Sequence, residues 1–311
     1  MPAQRATLLA TLACVIAAGC WAANAVIATG AFERGVTPAQ LAQARVVVAL
    51  VPLALVLVVA RRDLLRPPRG SVPALLGFGA SMVVVNVSYY VAIDRVPVGV
   101  AISLQYTAPV LILAGMALIT RRSPPALIWL AGAMTLVGAI LVSAALGSAA
   151  GSAPLDRLGL LAGVASAVSF AGYLLSAERA GSTGSHPVTT LLIGFVVAVA
   201  IWVVLMPPWN WPIELLADPQ VAWRVIAVGL VGTLLPFALV VAALRWISSA
   251  VAGIATTAEP VLAAALAWLF LGQELSATQL LGGALVVAGV VAAQVARPTP
   301  PPRGAVPVEA V

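Results

Sequence analysis

The sequence predicts an all-α integral membrane protein whose ten transmembrane helices form two inverted five-helix repeats. Three observations carry that prediction. The chain is 62% hydrophobic and only 8% charged, with mean hydropathy +1.09, whereas a soluble domain carries about 25% charged residues. Apolar runs of about twenty residues, the length that a bilayer core demands, recur from end to end. They are continuous rather than alternating, which excludes a transmembrane β-barrel. Finally, the two halves of the chain align with each other.

Read against their breakers, the apolar runs give spans at 8–30, 39–60, 72–93, 98–119, 126–147, 158–180, 188–206, 221–244, 249–271 and 277–295. The first follows Arg5 and runs into "WAANA", which imitates a signal peptide with an Ala-x-Ala cleavage site. Ala17 stands where a lipoprotein signal wants leucine, and the repeat needs this segment as a spanning helix. Its two cysteines, Cys14 and Cys20, point to different sides of a helix and read as small packing residues. Thr37-Pro38 opens the second span, and Arg66-Pro67-Pro68-Arg69-Gly70 separates it from the third. Val96-Pro97 precedes the fourth, Ser123-Pro124-Pro125 the fifth and His186-Pro187 the seventh. Between the seventh and eighth lies Pro207-Pro208-Trp209-Asn210-Trp211-Pro212, whose tryptophans suit a membrane interface. Residues 296–311 are Pro-rich and are expected to form a disordered cytoplasmic tail.

All sixteen basic residues are arginine. With ten spans, Arg5, Arg61, Arg62, Arg66, Arg69, Arg121, Arg122, Arg179, Arg245, Arg297 and Arg303 fall on one side. Only Arg34, Arg95, Arg157 and Arg224 fall on the other. The positive-inside rule then puts both termini of the multi-pass chain in the cytoplasm. Nine or eleven spans would scramble the segregation. The net charge of +6 sits in short loops, where it meets lipid headgroups, so no nucleic-acid partner is expected.

A shift of 151 places "VAISLQYTAPVLILAGMAL" from Val100 on "VAGIATTAEPVLAAALAWL" from Val251, with Pro109 on Pro260, Gly132 on Gly283 and Gly138 on Gly289. Near the start of each half a shift of 149 puts Trp21 on Phe170, Asn24 on Tyr173 and Pro38 on Pro187. The expected units are 8–147 and 158–295. Five spans is an odd number, so the second unit enters the membrane from the opposite side. Inverted repeats of this kind commonly hold a solute site at their interface near the bilayer midplane.

Trp21-Ala22-Ala23-Asn24, Leu41-Ala42-Gln43-Ala44-Arg45 and above all "EPVLAAALAWLFLGQELSATQLLGGALVVAGVV" from Glu259 resemble the EamA family of the drug/metabolite transporter superfamily. The resemblance covers nearly the whole chain. It implies two EamA units and export of amino acids, other small metabolites or drugs; "PVGVAISLQYTAP" is similar to the amino-acid efflux branch. One departure is clear. Where the second unit has Leu271-Gly272-Gln273-Glu274, the first has Thr120-Arg121-Arg122-Ser123.

Glu259 lies about ten residues into its span, where an acid costs on the order of 2.5–3.5 kcal/mol on insertion scales. Pro260 should kink the helix and free a carbonyl near Thr256, which three-residue spacing puts on the face of Glu259. That face either lines a solute path, with Glu259 binding a cationic group or a proton, or bonds a neighbouring helix for assembly. Pro109 and Pro260, at matching depth, are either hinges for alternating access or static kinks. Trp21, Asn24, Asn86, Tyr89, Tyr90, Gln105, Tyr106 and Tyr173 are the further candidates for the lining, although such side chains also bond helix to helix. Arg45, early in the second span, is expected to snorkel to the interface; the alternatives are a partner for Glu259 or an anchor for a solute carboxylate. His186 has no second ligand near it, and Glu274 fits a cap as well as a site.

Walker, Rossmann and metal-ligand patterns are absent from the sequence, so no cofactor, no metal and no catalytic residue is expected. An embedded enzyme for a lipid-like substrate would want several acids or histidines at one depth. Uptake or facilitated diffusion stays open beside export. The partners expected are a small-molecule substrate, the bilayer, protons as coupling ion and a second copy in a homodimer.

Overall fold

The computed structural model describes residues 2–96, 98–147, 156–207, 213–271 and 274–296, and every regular element among them is helical. The two-tryptophan stretch at 209–211 and the tail beyond residue 296 lie outside the described residues. Among the described residues ten helical spans are long and apolar enough to cross a bilayer: Gln4–Phe32, Pro38–Ala60, Arg69–Ala92, Val100–Ile119, Ala126–Ser143, Arg157–Ser182, Pro187–Leu205, Pro219–Ala243, Ser249–Leu269 and Ala277–Val295. They are spans 1 to 10 below. Large side chains such as Leu55, Val59, Leu118, Ile119 and Val204 stand fully exposed on their outer faces, a surface tolerable only in lipid.

The helix starts follow local rules. The side chains of Thr37, Asp156, His186, Asp218 and Ser276 each accept a backbone N–H of the helix they precede, which satisfies donors that have no intrahelical partner. Pro38, Pro187 and Pro219 occupy the first turn, where a missing N–H is harmless. Gly35 and Gly184, at φ 89° and 90°, turn the chain after spans 1 and 6; they correspond under the shift of 149, and each needs the left-handed conformation that glycine tolerates.

Packing displays the duplication directly. Span 1 packs along span 8 and span 6 along span 3, while spans 2 and 7 and spans 5 and 10 meet each other. Exchanging the halves leaves this pattern unchanged. A Cβ at Gly138 would lie 2.5 Å from the Gly282 carbonyl, and one at Gly289 would lie 2.8 Å from that of Ala131. The two contacts swap under the shift of 151, so spans 5 and 10 cross with backbones touching, which small residues allow. Likewise Gly229 sits on Val48 and the carbonyl of Arg45, and Gly79 on Val197 and the carbonyl of Gly194. On the axis itself Trp21 and its counterpart Phe170 meet edge to face at 6.2 Å.

Spans 4 and 9 are each broken rather than kinked. Span 4 is a helix Val98–Gln105 followed by another, Ala108–Thr120; span 9 is Ser249–Thr256 followed by Glu259–Leu271. The breaks coincide residue for residue under the shift of 151. Pro109 and Pro260 therefore stand in the first turn of a second helix, where they need no hydrogen-bond partner. At the broken ends Thr107, Thr256 and Thr257 turn their hydroxyls back to the carbonyls of Leu104, Gly253 and Ile254. Span 8 is interrupted differently, by a π-turn at Leu230–Leu234 just ahead of Pro236.

Candidate functional site

The breaks bring the two repeats together at their centre. Tyr106, in the gap of span 4 and 3% exposed, donates its hydroxyl to Oε2 of Glu259 at 2.6 Å. Glu259 is the first residue of the second piece of span 9, so a gap residue of one repeat meets a gap residue of the other. The pair has no twin: Tyr106 and Glu259 correspond to Thr257 and Ala108. Tyr89 of span 3 is close enough to feel the charge of Glu259, and its ring lies 6.1 Å from that of Tyr90.

Arg45 corrects the expectation that it snorkels. Its side chain turns inward and is 6% exposed. Nη2 donates to the carbonyl of Gly232 at 2.6 Å, Nε to Oγ1 of Thr233 at 2.7 Å, and Nη1 to Oδ1 of Asn86 at 3.2 Å. The first of these has a cause in the sequence. Pro236 has no N–H to give the carbonyl four residues earlier, that of Gly232, so the π-turn presents a free acceptor. The amide of Asn86 is fixed in turn by donating to the Met82 carbonyl at 2.6 Å. Arg45 also lies within electrostatic reach of Glu259.

Asn24 joins this group from span 1. It lies so close to Gly232 that an added Cβ there would collide with its amide, and its Oδ1 is buried without a donor. Under exchange of the halves the polar group becomes apolar. Arg45 falls on Gly194, against which the ring of Phe78 packs, and Asn24 falls on Tyr173. Tyr173 is 1% exposed and packs among Phe78, Phe170 and Phe237 at 5.3–5.5 Å. Trp21 abuts the same aromatic cluster through Phe237 at 5.7 Å.

The remaining candidates lie elsewhere. Gln105 accepts a hydrogen bond from Ser166 of span 6 at 2.8 Å, a helix-to-helix bond. Thr256 is fully buried and bonds within its own helix; the shared face expected with Glu259 presumed a continuous helix, and the break removes that premise. His186 caps span 7, its Nδ1 accepting from the Val188 N–H at 3.3 Å. Burial, then Arg245 and Arg61, lower its pKa, which keeps it a neutral acceptor at neutral pH. Among the described residues no group of three or more His, Cys, Asp or Glu side chains could hold a metal. Glu274 is exposed ahead of span 10. Sequence reasoning missed Gly232 and Thr233, although Pro236 was the available signal.

A model of the EamA-like transporter family matches the chain twice, over residues 8–144 and 157–293. The protein belongs to the EamA-like transporter family. The threonine/homoserine exporter RhtA of Escherichia coli is 30% identical over 223 residues, covering 70% of this chain and 69% of that one. RhtA of Salmonella typhimurium is 29% identical over 220 residues, covering 69% and 68%. An uncharacterized transporter of Archaeoglobus fulgidus is 28% identical over 239 residues, covering 75% and 78%. One crystal structure, of a protein 22% identical, shares the fold with TM-score 0.73 over 92% of this EamA-like chain and 96% of its own.

Proposed function

We propose that this EamA-like protein is a secondary exporter of amino acids or related small solutes, working by alternating access at the repeat interface. The observation that carries the reading is the Tyr106–Glu259 bond at 2.6 Å, which joins the two broken spans at the molecular centre. An acid at that depth is expensive; a solute path gives it a use, and the helix breaks give the path mobile walls. Relatives named as threonine/homoserine exporters support the substrate class and the direction.

The structural units in this reading are 8–147 and 158–295, and Pro109 and Pro260 act as hinges. Trp21, Asn24, Asn86, Tyr89, Tyr90, Gln105, Tyr106, Tyr173, Thr256 and Glu259 line the successive states of the path. Glu259 exchanges solute ammonium for a proton, so a proton gradient drives efflux. In this reading the protein sits in the inner membrane with both termini cytoplasmic, which the arginine segregation supports.

The test is accumulation of labelled threonine, homoserine and other amino acids, and of small cationic drugs, by inside-out vesicles with and without a proton gradient. Gradient-driven accumulation of an amino acid, lost in Glu259→Gln at equal expression, is the expected result. Equilibration of the label without accumulation, whether or not the gradient is imposed, would favour facilitated diffusion. Unchanged transport in the variant would remove Glu259 from the path.

A further inference from the structure

We propose that Arg45 and Glu259 are the two poles of a receptor for the α-amino-acid zwitterion, Arg45 taking the carboxylate and Glu259 the ammonium. This deepens the export reading and rests on it.

Arg45 is 6% exposed, yet its bonds go to a carbonyl, a hydroxyl and an amide oxygen, all neutral. Among the described residues the ion pairs are Arg61–Asp63 and Arg95–Asp156, both outside this region. A buried cation held only by neutral acceptors keeps its demand for an anion. Glu259 is in the reciprocal position: its hydrogen-bond donor among the described residues is the neutral phenol of Tyr106.

Span 1 passes both poles, with Ala18 packed on Ala258 beside Glu259 and Asn24 abutting Gly232 beside Arg45; among the described residues no ion pair joins the two, because different elements hold each of them. The π-turn ahead of Pro236 ties Arg45 to span 8, and Tyr106 ties Glu259 to the gap in span 4. Direct collapse into an ion pair would break both sets of bonds. A zwitterion satisfies both poles and leaves the bonds in place. Its carboxylate matches the N–H fork of a guanidinium, of which Arg45 has committed one N–H on each nitrogen. Its ammonium has three donors, one for Glu259 and another for Asn24 Oδ1, a buried acceptor with no donor among the described residues.

Specificity follows from the same reasoning. An amine lacking the carboxylate leaves Arg45 without its anion, and an acid lacking the ammonium leaves Glu259 without its cation. Sites that bury polar groups reject analogues that fail to pair them far more strongly than they reject changes in apolar bulk. The receptor therefore reads the α-carbon substituents and is tolerant of the side chain.

The test is counterflow by the purified full-length protein in proteoliposomes. Labelled L-threonine, L-homoserine and L-leucine would each be competed with their own amino alcohol, which lacks the carboxylate, and their own 2-hydroxy acid, which lacks the ammonium. In the wild type each analogue should compete at least tenfold less well than the parent amino acid. Arg45→Gln should close the gap between amino acid and amino alcohol and leave the other gap open; Glu259→Gln should do the reverse. Wild-type exchange in which an amino alcohol or hydroxy acid competes as well as its parent would overturn the receptor while leaving amino-acid export intact, and that arm needs no variant to fold. A folded Arg45→Gln that keeps the full discrimination against amino alcohols would overturn it too. Exchange of none of the three amino acids would sink the export reading itself, and the receptor with it.

Discussion

At the scale of single residues, one phenol holds one acid. Tyr106 donates to Glu259 at 2.6 Å from a position only 3% exposed, and a hydrogen bond to a charged group contributes about 1.5–3 kcal/mol. Tyr106→Phe keeps the ring and the volume, so its expected effect is on transport rather than assembly: efflux about ten- to a hundredfold slower, with a melting temperature in detergent close to wild type. A variant that transports normally would show that the bond is dispensable. Gly232 makes a second test at this scale. A Cβ added to it would collide with the Asn24 amide, and its carbonyl accepts from Arg45. Gly232→Ala should displace both and destabilise the fold by about 1–3 kcal/mol, as overpacking commonly does. Thermal unfolding of the purified variant measures it.

At the scale of elements, the sequence predicted spans 4 and 9 as one helix each, and the structure splits both at their central prolines, at Gln105/Ala108 and Thr256/Glu259. Reading a proline as a kink assumes that the lost backbone bond is the only disturbance. Here threonine hydroxyls also compete for the last carbonyls of the first piece, so two helices ending and starting is the lower-energy arrangement. Pro260→Ala restores the missing N–H and permits a continuous helix across the gap. It should slow turnover severalfold at unchanged solute affinity, and Pro109→Ala should do the same on the other repeat. Normal counterflow rates in both would make the prolines static. Spans 5 and 10 offer the converse case, an element that has to stay rigid. Gly138 faces the Gly282 carbonyl with no room for a Cβ, so Gly138→Leu should separate the two spans and lower thermal stability more than it lowers the rate of the surviving protein.

At the scale of the whole molecule, duplication supplies the architecture, and asymmetry supplies the chemistry laid over it. Neither charge of the centre has a charged counterpart: Arg45 falls on Gly194 and Glu259 on Ala108, while Asn24 falls on Tyr173. Each repeat then contributes one charge that the other does not match. In the proposed topology the turn after span 1 faces outward and the turn after span 6 faces the cytoplasm. In a background with Cys14 and Cys20 replaced by serine, Arg34→Cys should react with an impermeant maleimide on intact cells. Ser182→Cys should react only after permeabilisation. The reverse pattern would invert the topology.

The membrane class, the ten spans and the duplication were legible in the amino-acid sequence, because these follow from local quantities. Apolar run length, breaker positions and spacing between like residues require no knowledge of what a helix touches. The prominence of Glu259 was legible for the same reason, since a lone acid in an apolar run is costly wherever its neighbours lie. Only the tertiary structure decided which candidates meet. Tyr106 reaches Glu259 across 153 positions, and Arg45 reaches Gly232 across 187. Gln105, one residue from Tyr106, points to span 6 instead. Arg45 early in an apolar span could equally have faced the interface. It turned inward because, far along the chain, Pro236 left a carbonyl without a donor, and a buried acceptor recruits whatever donor packing brings to it.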